Sequence, residues 1–115
     1  MNATLIALAQ PNRLQIVELL LSGPRPVAEI VERLKLRQPQ VSKHLRFLHD
    51  AGVVDVRRLA QQRIYSLKPQ AFRELDAWLE SYRRLWEERL DRFDEVLQDL
   101  KEQDVNKEND HALDR

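Results

Sequence analysis

Apolar residues recur along this chain in two periods, and the change of period marks out its elements. "ATLIALAQ" predicts a first short helix. "PNRLQIVELLLSG" predicts a second, opened by Pro11 and closed by Gly23, with Leu14, Val17, Leu20 and Leu21 on one face. "PVAEIVERL" predicts a third, its Val27, Ile30, Val31 and Leu34 apolar at helical spacing. In "LRQPQVSKHLRFLHDAGVV" the apolar residues Val41, Leu45 and Leu48 are separated by steps of four and three, which predicts a fourth helix of about three turns. Pro39 suits its first turn, where a missing N–H costs nothing, and Gly52 suits a left-handed stop. The other face of this helix carries Gln40, Ser42, Lys43, Arg46 and His49, hydrogen-bonding groups where a solvated face usually holds Glu and Lys. The period then shortens. "VVDVRR" and "RIYSL" are β-type runs separated by "LAQQ", which predicts a hairpin. The turn has no Asn-Gly or Asp-Gly pair to fix its geometry, so a mobile tip is expected.

From Pro69 the helical period returns and holds. Phe72, Leu75, Leu79, Tyr82, Trp86, Leu90, Phe93, Leu97 and Leu100 follow one another at steps of three or four, and Trp78, Leu85 and Val96 broaden the stripe. At 1.5 Å per residue such a stripe is ~40–45 Å long, more than a core of three short helices can cover. The remainder must meet another chain or lie exposed. "DVNKENDHALDR" is polar and aperiodic and is expected to be a disordered tail. The expected organisation is therefore one domain over residues 1–103 and a polar tail over residues 104–115.

Length and composition narrow the class. A chain of 115 residues suits one domain. It has no cysteine, which excludes disulfides and thiolate metal sites. No apolar run approaches the ~20 residues that span a bilayer, and no basic flank precedes the first apolar patch. A soluble, cytoplasmic protein without a membrane partner is the expectation. The net charge is zero, but it is unevenly distributed. Residues 1–68 hold eleven Lys or Arg against five Asp or Glu, whereas residues 69–115 hold eight against fourteen. A basic half points to nucleic acid, and only that half needs to meet phosphate.

Two short helices joined by the tight "KLRQ" turn form a helix-turn-helix pattern. In that motif the second helix enters the major groove with its N-terminal residues on base edges. This accounts for the polar opening turn of the fourth helix. Gln38 and Gln40 can pair with adenine, Ser42 can bond bases or phosphate, and Lys43 can reach guanine or phosphate. The hairpin adds Arg57, Arg58 and Arg63 beside Gln61 and Gln62. A basic strand pair in that place is a wing able to touch the DNA backbone or minor groove. Taken singly, a polar helix face is more often merely solvated. The order helix, helix, helix-turn-helix, basic hairpin, long helix is what favours double-stranded DNA.

"LAQPNRLQIVELL", "VAEIVERLKLRQPQVSKHLRFLHDAGVV" and "RIYSL" resemble the arsenical-resistance-repressor (ArsR/SmtB-like) family of winged-helix regulators over roughly residues 3–100. The resemblance implies a mainly α fold with a small β-hairpin wing, a winged helix-turn-helix with a long C-terminal dimerisation helix. It also implies a homodimer that binds an imperfect inverted repeat and represses transcription. The matching groove-reading positions are Gln38, Gln40, Ser42 and Lys43, followed by His44 and Arg46. The matching wing positions are Arg57, Arg58 and Arg63. Leu79, Tyr82, Trp86, Leu90, Phe93 and Leu97 are the expected dimer interface. The chain departs from the family at the wing tip, where "AQQR" replaces a Gly-Arg turn. Metal-sensing members carry a Cys-x-Cys pair before the recognition helix, or His and Asp in the terminal helix. This chain has no Cys, and no His between Pro69 and Gln103. The run "WLESYRRLWEERLDRF" resembles a metal-free branch of the family, often encoded beside a hydrophobic-ligand-binding fold of the Hsp90-activator-like type. No metal, no cofactor and an unidentified effector are therefore expected.

Other readings carry less weight. Asp91, Asp94 and Glu95 can hold a hard cation, but such carboxylates on a helix are usually solvated. His44, His49 and His111 lack ligand partners at metal spacing and read as surface or capping residues, although His44 can also bond a phosphate. Trp78, Tyr82 and Trp86 read as interface core before ligand pocket. A protein-interaction module working through the long helix is the alternative to a DNA-binding regulator. No Gly-rich phosphate loop, nucleophile–base pair or metal cluster supports an enzyme.

Overall fold

The computed structural model describes residues 2–113, and side chains within residues 2–106. Five helices and a three-stranded sheet follow in the order α1 (Ala3–Leu8), α2 (Pro11–Leu20), β1 (Arg25–Pro26), α3 (Val27–Leu34), α4 (Gln38–Asp50), β2 (Val54–Leu59), β3 (Gln62–Leu67) and α5 (Pro69–Leu113). Side chains open the first two helices. The Asn2 carboxamide accepts from the amides of Thr4 at 2.9 Å and Leu5 at 3.3 Å, and Gln10 accepts from Arg13 N at 2.8 Å. The chain divides into two compact units, the first ending at Trp78 and the second beginning at Leu79.

The core of the first unit is formed by Ala7, Ile16, Val17, Leu20, Ile30, Val41, Leu45, Leu48, Val53 and Val54. It therefore draws on α1 to α4 and on the strand that follows. The expected apolar face of α2 needs correction. Val17 and Leu20 are buried, but Ile16 joins them while Leu14 and Leu21 are exposed. The buried stripe is turned so that adjacent Ile16 and Val17 share the core, which leaves Leu21, past the last helical residue, outside it.

The sheet is antiparallel throughout, in the order β1-β3-β2. Its hairpin agrees with the sequence pattern, but the connection is tighter than "LAQQ". Leu59 and Gln62 are paired, leaving Ala60 and Gln61 as a two-residue loop. Ala60 takes a φ of 56°, a left-handed conformation that costs a residue with a Cβ about 1–2 kcal/mol. Strand β1 has no counterpart in the sequence reading. It pairs Arg25 with Tyr65 and Pro26 with Ile64. Both neighbours of Arg25 are prolines, and a residue before proline is pushed into extended backbone.

Helix α5 starts at Pro69, just after Lys68 N donates to Val53 O at 2.8 Å. Ala71 is buried and Phe72 packs on the core, while Leu75 and Trp78 are half-buried. The helix continues past Gln103 to Leu113, through the stretch where a disordered tail is expected. That stretch contains neither Gly nor Pro, so nothing in it breaks a helix already propagating. Among the described residues no helix is long and apolar enough to cross a membrane.

Candidate nucleic-acid interface

Helix α4 is held by its inner face. Val41, Leu45 and Leu48 are fully buried, so the residues between them are turned outward. Gln38, Gln40, Ser42, Lys43, Arg46 and His49 are exposed, and His44 is half-buried. Burial lowers the pKa of His44 below its ordinary 6.5, and the nearby charges of Arg13 and Lys43 add to that shift. The imidazole is therefore neutral at pH 7, a hydrogen-bonding group that brings no charge.

Arg13 ties this helix to α1. Its Nε donates to Ala7 O at 2.7 Å and its Nη2 to Ile6 O at 3.3 Å, which satisfies two carbonyls at the end of α1. The same guanidinium lies 4.0 Å from the centre of the Phe47 ring on α4.

Cross-strand register decides which wing residues share the side of α4. A cleft of about 760 Å³ is lined on the α4 side by Gln38, Ser42, Arg46 and His49, and on the wing by Val56, Gln61, Arg63 and Tyr65. Pro26, Val27 and Ala28 also line it. Arg58 pairs with Arg63, and Val56 with Tyr65. Alternation along a strand therefore places Arg58 with Arg63 on the cleft side. Arg57 pairs with Ile64 and falls on the reverse face. So the predicted residues Gln38, Ser42, Arg46 and Arg63 come together around one concavity. Gln40, Lys43, His44, Arg57 and Arg58 do not line it, although Arg58 shares the face of Arg63.

Two arginines directly opposite each other in a sheet repel. Among the described residues no ion pair neutralises Arg57, Arg58 or Arg63. The wing arginines are thus cations without an ion-pair partner among the described residues. Strand β1 enters the site by a route the sequence reading missed. Arg25 donates to Glu29 in the first turn of α3 and, through Nη2, to Ser22 Oγ at 2.7 Å. This fixes the edge of the sheet beside the helix-turn-helix. The signal was the alternation Pro-Arg-Pro, too short to register as a strand.

The expected interface residues Leu79, Tyr82, Trp86, Leu90, Phe93 and Leu97 are between 39% and 58% exposed in the single chain. Asp91, Asp94 and Glu95 lie in the same helix, and no group of three or more His, Asp or Glu is placed to hold a metal among the described residues.

The family model described as "Bacterial regulatory protein, arsR family" matches residues 10–56. The chain is 44% identical over 61 residues to a probable mercury resistance operon repressor of Streptomyces lividans, covering 53% of this chain and 49% of that protein. It is 38% identical over 80 residues to the transcriptional activator HlyU of Vibrio cholerae, covering 70% of this chain and 71% of the relative. A crystal structure of an ArsR family transcriptional regulator superposes with a TM-score of 0.67 at 30% identity, over 75% of this chain and 89% of that one. The match thus spans about half the length of the mercury-operon repressor and more of the other two. The family is one of regulators, not enzymes, and its winged helix-turn-helix is the fold observed here. The sequence match and the shared fold run together through α4 and into the hairpin, and the chain belongs to the arsR family of bacterial regulatory proteins.

Proposed function

We propose that this protein is a sequence-specific DNA-binding transcriptional regulator, a homodimeric repressor that occupies an inverted-repeat operator in the cytoplasm. One observation carries the reading: Gln38, Ser42 and Arg46 of α4 and Arg63 of the wing line one concave surface, and Arg58 lies opposite Arg63 on the same face of the hairpin. A duplex laid against the exposed face of α4 and the wing meets Gln38, Gln40 and Ser42 at base edges, with Lys43 and Arg46 at bases or adjoining phosphates. The wing meets mostly phosphate. Two copies paired through α5 set their α4 helices about one DNA turn apart, roughly 34–36 Å. Relatives of this chain are named as a repressor and as an activator. Repression is the reading for this chain because a dimer across an inverted repeat excludes polymerase without any further partner.

The test is a salt titration of binding to an operator duplex, selected from the DNA upstream of the gene, and to a random duplex. Gln40→Ala should cost ~1–3 kcal/mol on the operator and relax preference at one base pair in each half-site. Arg63→Ala should weaken both duplexes alike and flatten the salt slope by about one phosphate per half-site. Equal losses on both duplexes for Gln40→Ala, with an unchanged slope for Arg63→Ala, mean that another surface faces DNA. The exposed stripe of α5 favours a second reading, a protein-interaction module. Sequence-specific binding by the wild type excludes it.

A further inference from the structure

The turn that joins α3 to α4 uses residues that suit neither of its two capping positions. Helix α3 ends on Lys35 in the left-handed conformation, with φ 53° and ψ 40°. That position favours glycine, or asparagine, because a Cβ is strained there. Helix α4 begins on Arg37, which makes no side-chain capping bond. That position favours Ser, Thr, Asp or Asn, whose oxygen satisfies an amide of the first turn. Here the only amide a cap can reach is that of Gln40, because Pro39 has none. Between them Leu36 is half-buried and packs on the core. The anchored leucine turns its neighbours outward, and both Lys35 and Arg37 are exposed. Neither forms an ion pair among the described residues. The chain thus gives up two local stabilising choices and places two free cations within three residues of Gln38.

The geometry points to a second phosphate clamp, formed by Lys35 and Arg37 at the helix-turn-helix turn, gripping the DNA backbone beside the opening turn of α4. It rests on the reading of α4 as the helix that meets DNA. The wing residues Arg58 and Arg63 hold phosphate on the strand side of the cleft, and Lys35 and Arg37 hold it at the turn. The reading helix is then gripped by charge at two separate places, and its register on the duplex is set by both.

The replacements that test the clamp are those local structure prefers. Lys35→Gly removes a cation and relieves the left-handed strain. Arg37→Ser removes a cation and creates a Ser-Gln-Pro-Gln capping box. Each variant should melt at a temperature equal to or above the wild type. Each should also bind operator and random duplex roughly three- to tenfold more weakly at 0.1 M salt, with the salt slope shallower by about one per lost contact. A structural role alone lowers the melting temperature and leaves the slope unchanged. Arg63→Ala serves as the control. If it flattens the slope while Lys35→Gly and Arg37→Ser do not, the clamp is wrong and the DNA-facing surface stands. If the wild type discriminates no duplex and none of the three substitutions changes the salt slope, both readings fall.

Discussion

The unit ending at Trp78 and the unit beginning at Leu79 are written with the same apolar periodicity and have opposite fates. In the first, Ile16, Ile30, Val41, Leu45 and Leu48 are shut off from water by one another. In the second, Leu79, Trp86, Leu90, Phe93, Leu97 and Leu100 follow an equally regular stripe and remain exposed. The difference is one of partners. Val41 and Leu45 meet side chains from α2, α3 and the strands, brought close by short turns. A single long helix has no return segment to fold against its own distal half. Periodicity specifies an element and a face; what covers the face is decided by topology. Here the face of α5 is left exposed in the single chain, which is the surface the proposed dimer would use.

The largest effect that distinguishes the two regions is expected at Trp86. Buried across a dimer axis, it should make Trp86→Ala cost about 3–5 kcal/mol of assembly. Sedimentation should show that loss as a shift to monomer at micromolar concentration, with a melting temperature that depends on concentration. A wild type that sediments as a monomer breaks the comparison outright, because the stripe then covers nothing. Leu45→Ala comes next. Fully buried within one chain, it should cost about 2–5 kcal/mol by denaturant unfolding. If its effect varies with protein concentration as that of Trp86→Ala does, the two units do not have separate sources of stability.

How far the sequence was legible follows from the same distinction. Local signals worked where their cause was local. Pro39, the Val41–Leu45–Leu48 spacing and Gly52 outline α4 to within a residue or two, and the change of period marks the hairpin. What was missed depended on distant contacts. Strand β1 exists because Arg25 meets Tyr65, forty residues along the chain. Arg57 could not be separated from Arg58 without the register that sets Arg58 against Arg63. The turn cations Lys35 and Arg37 were passed over because their oddity is conformational. Nothing in "KLRQ" reveals a left-handed lysine until the backbone is known.

Ala60 offers a smaller test, confined to the first unit. Its left-handed φ of 56° is held by a two-residue loop without a glycine. Ala60→Gly relieves the strain but frees the unfolded chain, so the net gain should be about 0.5–1 kcal/mol. Calorimetry should register it in the unfolding of the winged unit, with no change in the monomer–dimer equilibrium. A loss of stability would mean that the tip is held by contacts of the Ala60 methyl group.

The smallest effect, and the one that separates the two regions most cleanly, is the response to pH. Folding holds the pKa of His44 below 6.5, chiefly through burial and then through Arg13 and Lys43. The unfolded chain therefore binds a proton more readily at this residue than the folded chain does. Stability from this source is complete above pH 6.5 and is lost as pH falls from there through the lower folded value. His44→Gln keeps a hydrogen-bonding side chain and should flatten the slope of melting temperature against pH below 6.5. The stripe from Leu79 to Leu100 contains no histidine. The dimer dissociation constant should therefore stay level between pH 7.5 and about 6, while the winged unit loses stability. A dissociation constant that rises in step with the loss at His44 would mean that the two regions are coupled and that assembly depends on the fold of the winged unit.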